Sequence, residues 1–346
     1  MNEESVTKRL GLKTLLFPML VLVAIALGLT LGFSFKEESS GIATYGIPVG
    51  LFFMIYPAMT KVRLEDMAKS LKSMRSVGLM VMLNYAIAPF LVAGIGYLFI
   101  GSIFSRIGLL PQAISSQVLV GVILLGVAPC IAMVMVWTDL AHGNLPLAVS
   151  FVAWNSIIQI ITTPLLVYVL TRTSVIINPL LILESVLFYL LLPLLTGMIT
   201  RKLIQKKRYF SRVLNTLSSV QTIALLFTIL VIFWGEGYGI IDTPSLVWMI
   251  AVVMLTFYFI LFHLGYLFSR KLGYNYADST AIGFTVSARD FEVSIAIALA
   301  AFSAYPYVAV TTAIGPLLEI PLMLLLVWIQ LGRKERIHIG EQYRTM

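Results

Sequence analysis

Ten apolar runs, most of them long enough to cross a lipid bilayer, constrain this chain more than any other feature. A spanning helix needs about 20 mostly apolar residues, and its backbone groups must bond within the helix. The runs are Leu12–Phe33, Tyr45–Thr60, Val77–Ile100, Ser116–Leu140, Leu145–Leu170, Asn178–Thr200, Val213–Trp234, Ser245–Phe268, Thr280–Phe302 and Tyr307–Leu331. Only 12% of the residues are charged, against about 25% in soluble domains. The sequence therefore predicts an all-α membrane protein with ten transmembrane helices in the lipid bilayer.

The basic residues are unevenly distributed between the loops of such a protein. If the N-terminus is cytoplasmic, twenty Lys and Arg residues fall on cytoplasmic segments and only Lys36, Arg106 and Arg172 on external ones. Because cytoplasmic loops carry an excess of basic residues, we expect a multi-pass protein of the cell (plasma) membrane with both termini cytoplasmic. The net charge of +8 is then a topological signal, and we expect no nucleic-acid partner. The cytoplasmic segment from Lys61 to Arg75 alternates basic and apolar residues, which predicts a short interfacial helix.

Two of the ten runs are interrupted, and they occupy equivalent places in the two halves of the chain. The fourth run is broken at residues 127–130 around Pro129, and the ninth at residues 287–292 around Arg289. Five spans in each half place the second half in the opposite orientation, as in an inverted-repeat transporter. We therefore predict two inverted five-helix repeats, residues 1–172 and 173–346, in which the broken helices 4 and 9 cross near the membrane midplane.

Cys130, the one cysteine of the chain, lies beside the proline of the first break. A single cysteine excludes an internal disulfide and a two-cysteine metal cluster. A thiolate binds soft metals and metalloids, and the positive end of a half-helix can activate it. The alternative is an inert buried cysteine that packs as a small hydrophobe.

The second break contains ionisable residues at membrane depth. Such residues are costly there and usually functional. We expect Arg289 to pair with Asp290 or Glu292, or to bind an anion. Glu292 is a candidate proton carrier, because a poorly hydrated carboxylate tends to take up a proton. Glu319, in the tenth run, is a second intramembrane carboxylate, and a self-neutralising cluster that merely fixes the break is the alternative.

Uncharged polar residues also occur at membrane depth, including Asn84 in the third run and Asn155 and Gln159 in the fifth. Asn155 and Gln159 are four residues apart and share a helix face. They could line a substrate route, satisfy a broken helix or hold helices together. The chain has no phosphate-binding loop and no His-Glu-x-x-His zinc motif, so we expect neither an enzyme nor a cofactor.

The sequence from Leu125 to Asn144 resembles the fourth-helix signature of the arsenical-resistance (Acr-type) arsenite efflux permeases. Residues 155–159, 291–298 and 316–321 resemble the fifth, ninth and tenth helices of that family. It is grouped with the bile acid/sodium symporters, so the resemblance implies a panel and a core domain built from inverted repeats. Cys130 and Glu292 match the family's essential cysteine and glutamate. Arg289 and Asp290 depart from the polar, uncharged pair expected before that glutamate.

The resemblance implies a secondary active transporter that exports arsenite, and antimonite as a further substrate, from the cytoplasm in exchange for protons. The candidate substrate-binding residues are Cys130 (as ligand of As(III) or Sb(III)), Glu292, Asn155, Gln159 and Arg289, and those for proton coupling are Glu292, Asp290 and Glu319. The alternative is a sodium-coupled organic anion symporter of the bile acid type, in which Arg289 would hold a carboxylate or sulfonate. A sensor or scaffold without transport is a third interpretation.

Overall fold

A computed structural model describes residues 3–61, 74–131, 133–176 and 178–345. Within these residues the regular structure is helical, apart from an isolated bridge between Pro129 and Arg289. The helices are α1 (Glu3–Ser34), α2 (Lys36–Lys61), α3 (Met74–Phe104), α4 (Gln112–Val127), α5 (Val134–Leu140), α6 (Leu145–Thr171), α7 (Pro179–Ile204), α8 (Phe210–Asp242), α9 (Pro244–Lys271), α10 (Tyr276–Ser287), α11 (Phe291–Ala301), α12 (Pro306–Ala313) and α13 (Gly315–Thr345). The predicted interfacial helix falls mostly on residues 62–73, outside the described residues.

Six helical stretches of the described chain are long and apolar enough to cross a membrane. They are α3, α6, α7, α8, α9 and the stretch Pro306–Glu335 that joins α12 to α13. Shorter apolar helices occur at Met19–Ser34, Gln112–Val127 and Phe291–Ala301. The all-α membrane class is therefore confirmed. Each of the ten predicted runs falls on helix, but the crossing of all ten and the inverted repeat stay predictions.

Two of the long helices contain π-helical turns next to a proline. In α3 such a turn covers Met82–Ile87, just before Pro89, and in α7 it covers Leu187–Leu191, just before Pro193. A proline in a helix lacks the N–H that would bond to the preceding turn, so the helix adjusts locally. In α3 the widened turn carries Asn84, which is fully buried.

The helices pack in two groups. Helix α2 packs against α7 and α8, and α1 packs against α8. In the second group α9 packs on α10 and α13, while α4 packs on α3 and α12. Helix α6 contacts both α4 and α5, and also α10, so it lies against both broken helices. These contacts are compatible with the predicted panel and core.

Both interrupted runs are broken in the structure. Helix α4 ends at Val127 and α5 begins at Val134, whereas α10 ends at Ser287 and α11 begins at Phe291. The second break is shorter than the predicted range 287–292, because the Asp290 side chain accepts a hydrogen bond from the backbone N–H of Val293 and so caps α11. Glu292 consequently lies in the first turn of α11.

Candidate functional site

The α4–α5 break and the α10–α11 break lie side by side and satisfy each other's backbone. The N–H of Cys130 donates to the carbonyl of Ala288 at 3.0 Å, and the N–H of Asp290 donates to the carbonyl of Ala128 at 2.9 Å. Pro129 and Arg289 face each other as an antiparallel bridge. A broken helix inside a membrane exposes backbone groups that need partners, and here each break supplies them for the other.

The third residue of each break turns its side chain onto the helix that follows. The Cys130 sulfur accepts a hydrogen bond from the N–H of Met133 at 3.2 Å, and Asp290 Oδ1 accepts one from the N–H of Val293 at 3.0 Å. Both side chains are 2% exposed. Asp290 is therefore the N-cap of α11, where the backbone carries partial positive charge, whereas Cys130 is held just before the start of α5.

Arg289 is fully buried, and its side chain bonds to neutral oxygens. Its Nε donates to the carbonyl of Ser287 at 3.3 Å, Nη1 to that of Gly126 at 3.4 Å, and Nη2 to Asn84 Oδ1 at 3.0 Å. The guanidinium also lies 5.7 Å from the centre of the Phe257 ring, a cation–π distance. The expected pairing with Asp290 or Glu292 is absent from these contacts. That expectation was wrong because Asp290 is turned onto the start of α11 instead.

Glu319 of α13 ties two other elements to the second break. Its Oε1 accepts from the backbone N–H of Arg289 at 3.3 Å, and its Oε2 accepts from the Tyr258 hydroxyl of α9 at 3.0 Å. Glu319 is buried and Tyr258 is fully buried. The carboxylate therefore supplies the acceptor that this N–H would otherwise lack.

Asp290 and Glu292 form a pair of neighbouring buried carboxyl groups. Asp290 Oδ2 and Glu292 Oε1 receive no hydrogen bond from a donor among the described residues. Like Asp290, Glu292 is 2% exposed. These two oxygens therefore have unused acceptor capacity.

Helix α6 presents a buried polar face to the crossing. Asn155 Oδ1 accepts from Asn84 Nδ2 at 3.4 Å and from the Tyr85 hydroxyl at 3.2 Å, so Asn155 is linked through Asn84 to Arg289. Gln159 lies one turn further along α6 and is fully buried. Neither amide atom of its side chain has a hydrogen-bond partner in the described part of the chain.

Comparison with known proteins identifies the family of this chain. The model of the Sodium Bile acid symporter family matches residues 48–243. The chain belongs to that family. It is 31% identical over 331 residues to an uncharacterized transporter of Synechocystis sp., an alignment that covers 91% of this chain and 86% of that protein.

Two arsenical-resistance proteins named Acr3 are similarly related to this symporter-family member. That of Corynebacterium glutamicum is 30% identical over 335 residues, covering 91% of this chain and 87% of that protein. That of Alkaliphilus metalliredigens is 32% identical over 296 residues, covering 83% of this chain and 82% of that protein. The resemblance inferred from the sequence is confirmed, and the chain is a membrane transporter with arsenical-resistance relatives.

The structure brings most of the predicted site residues of this transporter to one place. Cys130, Arg289, Asp290, Glu292 and Glu319 surround the two breaks, and Asn155 is connected to them by hydrogen bonds. Gln159 lies nearby without such a bond.

Two residues of the site escaped the sequence analysis. Tyr85 follows Asn84, a polar residue at membrane depth, and this position in the sequence could have indicated that Tyr85 belongs to the site. Tyr258 carries no such signal, because its partner Glu319 is 61 residues away and many aromatic residues occur in α9.

Proposed function

We propose that this transporter exports arsenite from the cytoplasm in exchange for protons, with antimonite as a second substrate. The observation that carries the proposal is the buried sulfur of Cys130, held at the meeting point of the two breaks. Neutral arsenous acid reaches this sulfur and forms an As–S bond, while the thiol proton and one hydroxyl group leave as water. A soft thiolate suits As(III) and Sb(III), and a single sulfur permits release. The Acr3 relatives support this choice of substrate.

Proton coupling falls to the carboxyl pair beside the thiol. Two adjacent buried carboxylates repel each other, so the pair of Asp290 and Glu292 retains a proton while it is buried. The pair releases this proton when it becomes exposed to water on one side of the membrane. Asp290 is occupied in capping α11, which leaves Glu292 as the carrier and Asp290 as the group that shares its proton. Glu319 is the third carboxyl group assigned to proton coupling. It accepts hydrogen bonds from the Tyr258 hydroxyl and the backbone N–H of Arg289.

The remaining substrate contacts come from Asn155, Gln159 and Arg289. Their amide and guanidinium groups donate to the arsenite hydroxyls. In this proposal ten helices form two inverted repeats, residues 1–172 and 173–346, and the core moves against the panel in the cell membrane with both termini cytoplasmic. The reciprocal bonds between the two breaks support the repeat.

The test uses everted membrane vesicles from arsenite-sensitive cells, with the vesicle interior acidified. Vesicles with the wild-type protein should accumulate arsenite, and vesicles with Cys130→Ser should not, at equal protein content. Collapse of the pH gradient should stop the uptake. Uptake that follows an imposed sodium gradient and ignores the pH gradient would refute proton exchange.

The second candidate function is sodium-coupled symport of an organic anion, which the neutral partners of Arg289 favour. A buried guanidinium whose hydrogen bonds all go to neutral oxygens can accept an anionic substrate. Taurocholate uptake into right-side-out vesicles, driven by a sodium gradient and lost in Arg289→Met, would establish this function. The arsenite assay on the same preparations separates the two candidates.

A further inference from the structure

A second group of buried polar side chains lies away from the breaks, where α5, α10 and α13 meet. It consists of Thr138 on α5, Ser279 and Thr280 on α10, and Gln330 on α13. All four are 0% exposed. None of them belongs to the site described above. We call them the hydroxyl–amide cluster.

Close contacts hold the elements of this cluster together. The Tyr276 hydroxyl lies 2.9 Å from the carbonyls of both Ala141 and Gln330. A Cβ atom on Gly143 would lie 2.7 Å from Thr138 Cγ2 and 3.2 Å from Thr280 Cγ2, so these two threonines converge on that glycine. The end of α5 and the start of α10 therefore enclose the cluster together with α13.

The polar atoms of the cluster lack protein partners. Thr138 Oγ1, Ser279 Oγ, Thr280 Oγ1 and both amide atoms of Gln330 have no hydrogen-bond partner among the described residues. Burying such groups unbonded is unfavourable, and native proteins almost always provide a partner. Four unsatisfied groups in one enclosed region therefore indicate a small polar occupant.

The chemistry of these groups indicates an occupant that is neutral and hydroxylated. Hydroxyl and amide groups both donate and accept. The nearby carboxylate of Asp278 is engaged by Asn144 Nδ2 at 2.6 Å, and the Arg333 guanidinium lies 4.9 Å from the centre of the Tyr266 ring at the edge of the region. A molecule whose hydroxyl groups both donate and accept matches the four side chains of the cluster, none of which is charged.

The cluster also lies on the helices that flank the two breaks. Thr280 precedes Ala288 by eight residues, so it lies roughly 12 Å from the second break along α10. Helix α13 continues from Gln330 to the basic pair Arg333 and Lys334, which marks the cytoplasmic end under the positive-inside rule.

We propose that the hydroxyl–amide cluster is a second binding site, which takes up arsenous acid, As(OH)₃, before it reaches Cys130. The proposal rests on the export function proposed above. The three hydroxyl groups of arsenous acid would bond to the cluster as those of a small polyol do, and no sulfur is involved. Binding there is weaker than thiol ligation and is independent of Cys130.

The experiment measures arsenite binding to purified Cys130→Ser protein by equilibrium dialysis at neutral pH, with bound arsenic counted by mass spectrometry. We expect saturable binding of one equivalent per chain. Adding Thr138→Val and Thr280→Val should weaken it at least about tenfold, because valine keeps the shape of threonine and removes its hydrogen bonds. Thr285→Val on the same helix is the matched control, since its hydroxyl bonds to the carbonyl of Ala281 and it should not change binding.

Two results would overturn the second site: no saturable binding by Cys130→Ser protein, or equal binding by the Thr138/Thr280 variant and the Thr285→Val control. Displacement by arsenate, which is charged, would overturn the preference for a neutral occupant. Ser279→Ala is a milder variant if the double substitution lowers expression. Wild-type vesicles that fail to accumulate arsenite would refute the export function alone, because the dialysis still decides whether the cluster binds.

Discussion

Residues 128–130 of the first break carry a methyl group, a proline ring and a thiol, whereas residues 288–290 of the second carry a methyl group, a guanidinium and a carboxylate. The backbones nevertheless match, since each third residue donates to the first residue of the other break, and its side chain accepts the backbone N–H three residues further along. The difference lies in the middle residue. Pro129 has no N–H to satisfy, whereas the N–H of Arg289 requires an acceptor and finds Glu319. Pairing the backbones in this way allows the side chains of the two breaks to differ.

The largest effect is expected from removing the soft ligand of the first break. Cys130→Ser should lower arsenite uptake into everted vesicles at least about 100-fold, the equivalent of roughly 2.7 kcal/mol, because serine cannot form the As–S bond. Serine still accepts the N–H of Met133, so the protein should fold normally. Cys130→Ala should be equally inactive and about 1 kcal/mol less stable, because the buried N–H of Met133 loses its acceptor. Full uptake by the serine variant would instead favour the organic anion symporter.

The second-largest effect is expected from neutralising Glu292, the carboxylate that follows the second break. Glu292→Gln should abolish uptake driven by a pH gradient while arsenite binding stays within about threefold of wild type, because glutamine keeps the shape and most hydrogen bonds of glutamate. The pH dependence of uptake should flatten, since the titrating group is gone. Glu184→Gln, at an exposed carboxylate of α7, is the control and should behave as wild type. If gradient-driven uptake survives in Glu292→Gln, the carrier must be sought at Glu319 or Asp290.

A smaller effect, on stability, is expected from removing the Glu319 carboxylate, the acceptor that only the second break needs. Glu319→Ala leaves the N–H of Arg289 and the hydroxyl of Tyr258 buried without partners, which should lower the free energy of unfolding by about 2 kcal/mol. Tyr258→Phe removes one donor together with its need for a partner and should cost about 1 kcal/mol. Thermal unfolding of the purified variants in one detergent gives both values. Equal melting temperatures for Glu319→Ala and wild type would show that the Arg289 N–H is satisfied in another way.

The sequence reveals the breaks but not the side-chain bonds that complete them. Pro129 and the charges around Arg289 stand out because they interrupt apolar runs, and such interruptions can be seen locally. The partner of Arg289 Nη2 is Asn84, 205 residues away, so no local pattern relates the two. The expected partner Asp290 is the sequence neighbour, yet it caps α11 instead. Sequence spacing therefore predicts where polar groups are required, whereas the packing of α3, α9 and α13 decides which groups meet.

Equivalent residues of the two breaks differ by a constant amount in residue number, and this relation leads to the smallest predicted effect. Pro129 and Arg289 differ by 160 positions, as do Cys130 and Asp290, and the same offset relates Glu319 to Gln159. Gln159 is fully buried, and its Oε1 has no donor among the described residues. Under an inverted repeat, Gln159 occupies the place from which Glu319 accepts the N–H of residue 289. The first break lacks that N–H because residue 129 is proline.

Pro129→Ala should therefore supply an N–H that Gln159 can accept, and should change the free energy of unfolding by less than about 1 kcal/mol. In a Gln159→Leu background the same substitution should cost about 1–2 kcal/mol, because the new N–H is then buried without an acceptor. The measurement is a double-mutant cycle on thermal stability, and it should give a coupling of about 1 kcal/mol. Gln159→Leu alone loses no bond to residue 129, so it serves as the internal reference. If the effects of the two substitutions are additive, Gln159 does not play at the first break the part that Glu319 plays at the second, and this support for the inverted repeat is lost.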